Sequence, residues 1–332
     1  MMKSKSSCSR RATLVVAMLA CLANPFTLSA MAQTWPAKPL RIIVVYPPGG
    51  VSDATARAIG EKLAILLGTR VVIENRAGAG GTIGMEALAK SAPDGDTIGF
   101  SAISPVALTP HLGKLSYDEA HDIAPVISVM YTPVLLVGTP AFTGRDFRDM
   151  IAMAQAKPGS LRWATSGSAT VGHLMLEQIK ASSGVNITHI PYKGGGQQLT
   201  DALGGNFEIL SSNVGATQLQ HVRAGKFKAL AVGSPARLDV LPDVPTLAEL
   251  GFPGANLTSL FGIFAPAKTP ATLIQRLNAD INKVLQMPDI RQRLLDTDNI
   301  PTGGSPADFA RQIAIDSDSN ARIIKAANIK AE

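Results

Sequence analysis

Short apolar runs alternate with glycine-bearing loops that open amphipathic helices, in two series along the chain. This alternation restricts the fold to an α/β class with parallel strands. Residues 40–46 (LRIIVVY) are continuous and β-branched, the pattern of a strand buried on both faces. Pro47-Pro48-Gly49-Gly50 ends the run. Across 52–67, Ala56, Ile59, Leu63, Leu66 and Leu67 recur at helical spacing, with Ser52 or Asp53 placed to cap the first turn. A strand at 71–73, a loop at 78–81, a helix at 82–90 and a strand at 97–101 complete one α/β lobe. The run 123–137, interrupted by Pro125 and Pro133, exceeds the usual strand of about 5 to 6 residues and suits a segment crossing between lobes.

The second series places strands at 162–165, 188–192, 207–211 and 227–232, alternating with helices at 171–182, 197–203 and 217–223. Residues 260–264 are expected to cross back, and helices at 270–286 and 306–327 to close the chain.

Ahead of this body, Lys3, Lys5, Arg10 and Arg11 form a basic head, 12–22 an apolar run and Ala30-Met31-Ala32 a small-x-small cleavage site. Residues 1–32 therefore read as an export signal, with an apolar run about half the ~20 residues of a membrane helix. The paired arginines leave Sec and twin-arginine export both open, and Met18-Leu19-Ala20 frames Cys21 poorly for a lipoprotein. The two cysteines, Cys8 and Cys21, both fall in this leader, which excludes disulfides, thiolate metal sites and a cysteine nucleophile from the mature chain. The whole chain has 31 basic and 25 acidic residues. Four of the basic ones belong to the leader, and the remaining near-neutral balance gives no support for nucleic-acid binding. His111, His121, His173, His189 and His221 show no metal-ligand spacing, so no metal is expected.

Four strand-to-helix loops bear glycine: 47–53, 77–82, 166–170 and 193–197. In a parallel sheet such loops gather at the carboxyl ends of the strands, where helix amino termini present free N–H groups to an anion. Ser166-Gly167-Ser168-Ala169-Thr170 adds three hydroxyls able to donate to a carboxylate. Asp53 would repel such a guest, so it is expected to cap its helix or to accept from an amine-bearing ligand. His173 offers a base to Ser166 or Ser168, the alternative of an exported serine hydrolase, although no G-x-S-x-G frames either serine. Gly78-Ala79-Gly80-Gly81 fails the dinucleotide pattern, because the third glycine would fall on Ile83. No cofactor is expected.

An ordered set of segments carries a resemblance. Trp35-Pro36 leads into Pro39 to Val44, followed by Pro48 to Asp53 with Ala56-Arg57 and by Glu74-Asn75-Arg76 with Gly78 to Gly81. Ala92 to Gly95, Tyr192-Lys193-Gly194, Leu241 to Thr246, and Ala265-Pro266 with Thr269-Pro270 complete it. The chain resembles the periplasmic substrate receptors of tripartite tricarboxylate transporters, the Bug receptors. The resemblance implies a two-lobed, type II-like periplasmic binding protein, each lobe a mostly parallel sheet flanked by helices, joined by two crossing segments. Lobe one would comprise 33–130 plus 258–332, and lobe two 131–257. It further implies a monomeric, non-enzymatic periplasmic receptor that passes a small carboxylate to a membrane permease; a receptor that signals to a sensor instead is left open by the sequence. The ligand would be a di- or tricarboxylate, an aromatic monocarboxylate or an acidic amino acid. Carried over by position, the ligand-binding residues would be Pro48, Gly49, Gly50, Val51, Ser52 and Asp53, with Gly80 and Gly81. Facing them would stand Ser166, Ser168, Ala169, Thr170, Lys193, Gly194 and Gly195. Gln197, Gln198 and Asn213 depart from the family pattern, and Lys193 is the main cation of these loops.

Overall fold

A computed structural model describes residues 35–329, so the leader expected at 1–32 lies outside the described residues. From Pro36 onward the chain forms a single compact unit. Its first part runs β1 (Leu40–Val44), α1 (Val51–Leu67), β2 (Val71–Asn75), α2 (Thr82–Ala89), β3 (Thr97–Ala102), α3 (Ser104–Ala107) and β4 (Ile123–Gly138). The second series follows as α4 (Phe147–Ala156), β5 (Arg162–Thr165), α5 (Val171–Ser183), β6 (Thr188–Pro191), α6 (Gly195–Leu203), β7 (Ile209–Asn213), α7 (Ala216–Arg223) and β8 (Lys228–Gly233). The chain returns through β9 (Thr258–Pro266), α8 (Ala271–Leu285), α9 (Pro288–Leu295), β10 (Ile300–Pro301) and α10 (Pro306–Ala326).

β1 lies parallel between β2 and β3, and Leu40, Ile42, Ile43 and Val44 are shut off from solvent, as an unbroken apolar strand requires. β5 likewise lies parallel between β6 and β7. The 16-residue strand β4 ties the two groups together. Its first part pairs antiparallel with β9 and β10, while Val134 to Gly138 pair with β7 and β8. The strands are thus parallel at each outer end of the path β2-β1-β3-β9-β4-β7-β5-β6 and antiparallel where the crossing strands meet. Pro125 costs β4 a donor, and the ladder shifts register just after it.

Side chains alternate across the second sheet. Val134 and Leu136 join a core with Trp163, Phe147 and Leu176, whereas Leu135 and Val137 join Phe207, Leu210 and Leu219 on the other face. Helices α4 and α9 were not anticipated, although Asp146, which accepts from the Asp149 N–H, caps the first of them in the ordinary way. The strand expected at 207–211 sits two residues later.

Helix α10 docks on the first sheet through Phe309, which meets Phe264 at 5.2 Å between ring centroids. A Cβ on Gly262 would fall 2.1 Å from Phe309 Cζ and 2.8 Å from the Ile127 carbonyl oxygen. Gly262→Ala is therefore expected to cost about 1 to 3 kcal/mol. Denaturant titration would read this as a lower midpoint at unchanged slope; a wild-type midpoint would mean that α10 does not seat on this strand.

Candidate functional site

A cavity of about 180 Å³ is lined from both groups of strands. The first turns of four helices open on it: Gly50 to Ser52 at α1, Thr170 to Gly172 at α5, Gly195 at α6, and Gly215 to Gln218 at α7. None of the four carries a side-chain cap; their N-cap positions are Gly50, Thr170, Gly194 and Gly215. The Thr170 hydroxyl donates instead to the Gly167 carbonyl at 2.7 Å. By contrast α4 and α10, whose first turns do not line the cavity, are capped by Asp146 and Ser305. Each uncapped terminus leaves backbone donors unpaired and adds a partial positive charge. No acidic residue lines the cavity, and its one cation is the exposed Arg293. The chemistry on offer is that of neutral donors facing an acceptor, most favourably an anion.

Asp53 braces the loop before α1. Its carboxylate accepts from the Gly49 N–H at 3.2 Å, Arg57 Nε at 3.0 Å and Asn75 Nδ2 at 2.9 Å. Asn75 also donates to the Tyr46 carbonyl at 3.0 Å. Asp53 thus reaches back past the N-cap, and the cap expected of Ser52 or Asp53 is the bare Gly50. Burial pushes the Asp53 carboxyl up, but the hydrogen bonds from Arg57, Asn75 and Gly49 outweigh it and hold it below the ordinary value. With its oxygens so occupied and its side chain off the cavity wall, Asp53 positions Gly49 to Val51.

The facing loop is braced in a similar way. Ser166 Oγ donates to Gln198 Oε1 at 3.3 Å, and the buried Gln198 donates from Nε2 to the Ser211 carbonyl at 2.9 Å. The Ala169 N–H donates to His173 Nδ1 at 3.2 Å, and the His173 ring lies flat on His189, 4.3 Å between centroids. Ser166 therefore gives its proton to Gln198, which leaves the hydrolase alternative without a Ser166–His173 pair.

The loops from the two sheets touch along a glycine seam. A Cβ on Gly196 would fall 2.3 Å from the Pro48 carbonyl oxygen, and one on Gly80 2.6 Å from the Ser168 carbonyl oxygen. Of the residues expected at the site, Gly49, Gly50, Val51, Ser52, Ser166, Thr170 and Gly195 line the cavity. Pro48, Gly80, Ser168 and Gly194 meet across the seam. Gly81 packs near Val45 and Pro105, and Ala169 sits in a small core with Leu108 and Leu174. Lys193 is exposed and off the wall. Sequence reasoning missed the α7 terminus, although Gly215 before a helix carries the same signature as Gly50. It also missed Arg293, Thr297 and Asn299, which only tertiary folding brings to the cavity.

A family profile described as tripartite tricarboxylate transporter family receptor matches residues 55–329. The chain is 40% identical to Protein BugT of Bordetella pertussis over 257 residues, 77% of this chain and 78% of that protein. It is similar to the periplasmic binding protein BugD, with a TM-score of 0.85, 27% identity and coverage of 90% and 100% of the two chains. An R. palustris protein solved with adipate matches with a TM-score of 0.85 at 31% identity over the same shares.

Because the Asp53 carboxyl is held below its unfolded value near ~4, it contributes stability above that pH, and the contribution is lost as pH falls through the lower folded value. Asp53→Asn is expected to flatten the acid limb of the stability profile below about pH 4 and to weaken the fold at neutral pH. Thermal or urea unfolding across pH checks this. Parallel acid limbs in wild type and variant would mean that the brace is not ionic.

Proposed function

Since the chain belongs to the tripartite tricarboxylate transporter receptor family, we propose that it is a non-enzymatic, monomeric periplasmic receptor. It takes a small carboxylate between its two lobes and delivers it to a membrane permease. The observation that carries this reading is the convergence of four uncapped helix termini on one cavity without an acidic wall. A carboxylate supplies the acceptors those donors lack. Each terminus offers ~0.3 to 1 kcal/mol, up to ~2 where partly buried, and each charge-assisted hydrogen bond ~1.5 to 3. After ordering costs, a micromolar affinity near ~8 kcal/mol is reasonable.

The two-lobed architecture of this family supports a boundary where β4 leaves the first sheet near Pro133 and where β9 returns at Thr258, close to the division 33–130 plus 258–332 against 131–257. Wall residues Gly49, Gly50, Val51 and Ser52 then belong to one lobe and Ser166, Thr170 and Gly195 to the other. The binding of adipate by a relative at 31% identity supports the same ligand class here. No helix among the described residues is long and apolar enough to cross a membrane.

Isothermal titration with di- and tricarboxylates, aromatic monocarboxylates and acidic amino acids is expected to give micromolar binding of at least one. Silence across the panel, with protein free of retained ligand, would count against the receptor. Gly196→Ala tests lobe closure separately. Alanine suits a helix, but its Cβ would meet the Pro48 carbonyl. The variant should keep its melting temperature and lose affinity at least about tenfold, ~1.4 kcal/mol; wild-type affinity would show that the shut seam is not needed for binding.

A further inference from the structure

The wall built by α7 and by the segment 293–299 holds polar groups that the fold does not use. Gln218 is 3% exposed, lines the cavity, and has neither its Nε2 nor its Oε1 hydrogen-bonded. As the third residue of α7 it could reach back to the N-cap N–H in a capping box, yet that helix has no side-chain cap. Asn299, 1% exposed, also lines the cavity. Its Nδ2 donates to the Val214 carbonyl at 3.2 Å and to Thr297 Oγ1 at 2.6 Å, which fixes Oδ1 as an acceptor, and Oδ1 is unpartnered.

Buried polar groups are ordinarily paired, and those that are not call for a partner. A second carboxylate cannot be that partner on its own, because it donates nothing to Asn299 Oδ1 or Gln218 Oε1. An ammonium would satisfy the acceptors, but no acidic residue lines the cavity to offset its charge. A carboxamide, with two N–H donors and a carbonyl acceptor, satisfies all three atoms, and a hydroxyl, with one donor and two lone pairs, satisfies all but one acceptor.

We infer that Gln218 and Asn299 form a specificity subsite for an uncharged donor–acceptor group, a hydroxyl or a carboxamide, carried by the same small carboxylate whose anionic end meets the glycine loops. The inference rests on the proposed carboxylate receptor and narrows its ligand class. A site that hydrogen-bonds a polar group discriminates strongly against an analogue lacking it, since its own buried groups are then left unpaired. Arg293, exposed at the rim, favours dicarboxylates instead and supplies the competing outcome.

The test is calorimetric titration of the full mature chain with matched four- to six-carbon carboxylates whose other end is carboxamide, hydroxyl, carboxylate or methyl. At the best length, the carboxamide or hydroxyl ligand should bind at least about tenfold tighter than both the dicarboxylate and the methyl-terminated acid. Gln218→Met keeps the side-chain length, and the fold invests no side-chain hydrogen bond in Gln218. It should therefore leave the melting temperature unchanged, cost the carboxamide or hydroxyl ligand about tenfold to a hundredfold, and leave the methyl-terminated acid as tight or tighter. A preference for the dicarboxylate, or an equal loss for every ligand in Gln218→Met, would overturn the subsite and leave the carboxylate receptor standing. No binding by any member of this series would overturn the subsite, and the receptor with it only if the wider carboxylate panel were silent too.

Discussion

A backbone N–H at the start of a helix needs an acceptor, and four helices here withhold one. Asp146 and Ser305 perform that service for α4 and α10, while α2, α8 and α9 also go without it; what marks the four is that their first turns share one cavity. Their missing caps follow from the glycines at N-cap positions 50, 194 and 215, which bring no side-chain oxygen, and from Thr170, whose hydroxyl is turned to Gly167. Parallel strands deliver helix amino termini to the carboxyl edge of each sheet. The long strand β4, shared by both groups of strands, holds the two edges in one molecule. A guest with acceptors to spare completes what the fold leaves open.

The seam between the two sets of loops is, at these two points, a contact of backbone with backbone. The Pro48 carbonyl faces Gly196 and the Ser168 carbonyl faces Gly80, with no side chain interposed. Such a seam sets the separation of the walls independently of the ligand, because no rotamer can adjust it. Gly80 also sits at φ 63°, where a side chain would strain the turn as well as crowd the seam. Variation among ligands is then left to side chains on other parts of the wall, α7 and the segment 293–299 foremost.

The strand–loop–helix series was legible because its signals are local: apolar runs of period two or continuous, helical spacing after a glycine turn, and Pro or Gly at the breaks. The glycine loops at 49–52 and 195 were legible on the same grounds. Asp53 was misread in detail because one partner is remote in sequence and another precedes the N-cap. Asn75 arrives from β2 and Gly49 lies on the far side of the N-cap, so a carboxylate that looked like a cap is a brace. Arg293 and Asn299 carried no local signal at all; they reach the cavity through the return of the chain after β9. Lys193 showed the converse, a cation within a glycine loop that the helix start at Gly195 leaves outside the wall.

Neutral donors also suit a receptor that must exist empty. A buried lysine or arginine in the cavity would lie uncompensated whenever the ligand is absent, and desolvating such a charge costs several kcal/mol. Backbone N–H groups at helix termini carry only partial charge, so the unliganded state is spared most of that penalty. The single cation is kept at the exposed rim, where water solvates it and where its attraction for anions is screened over ~8 Å at physiological salt. On the proposed reading, capture at the rim and retention inside fall to different groups. Because the retaining donors are divided between two sets of loops, separating the loops removes part of them from the ligand at once, and tight holding becomes compatible with release.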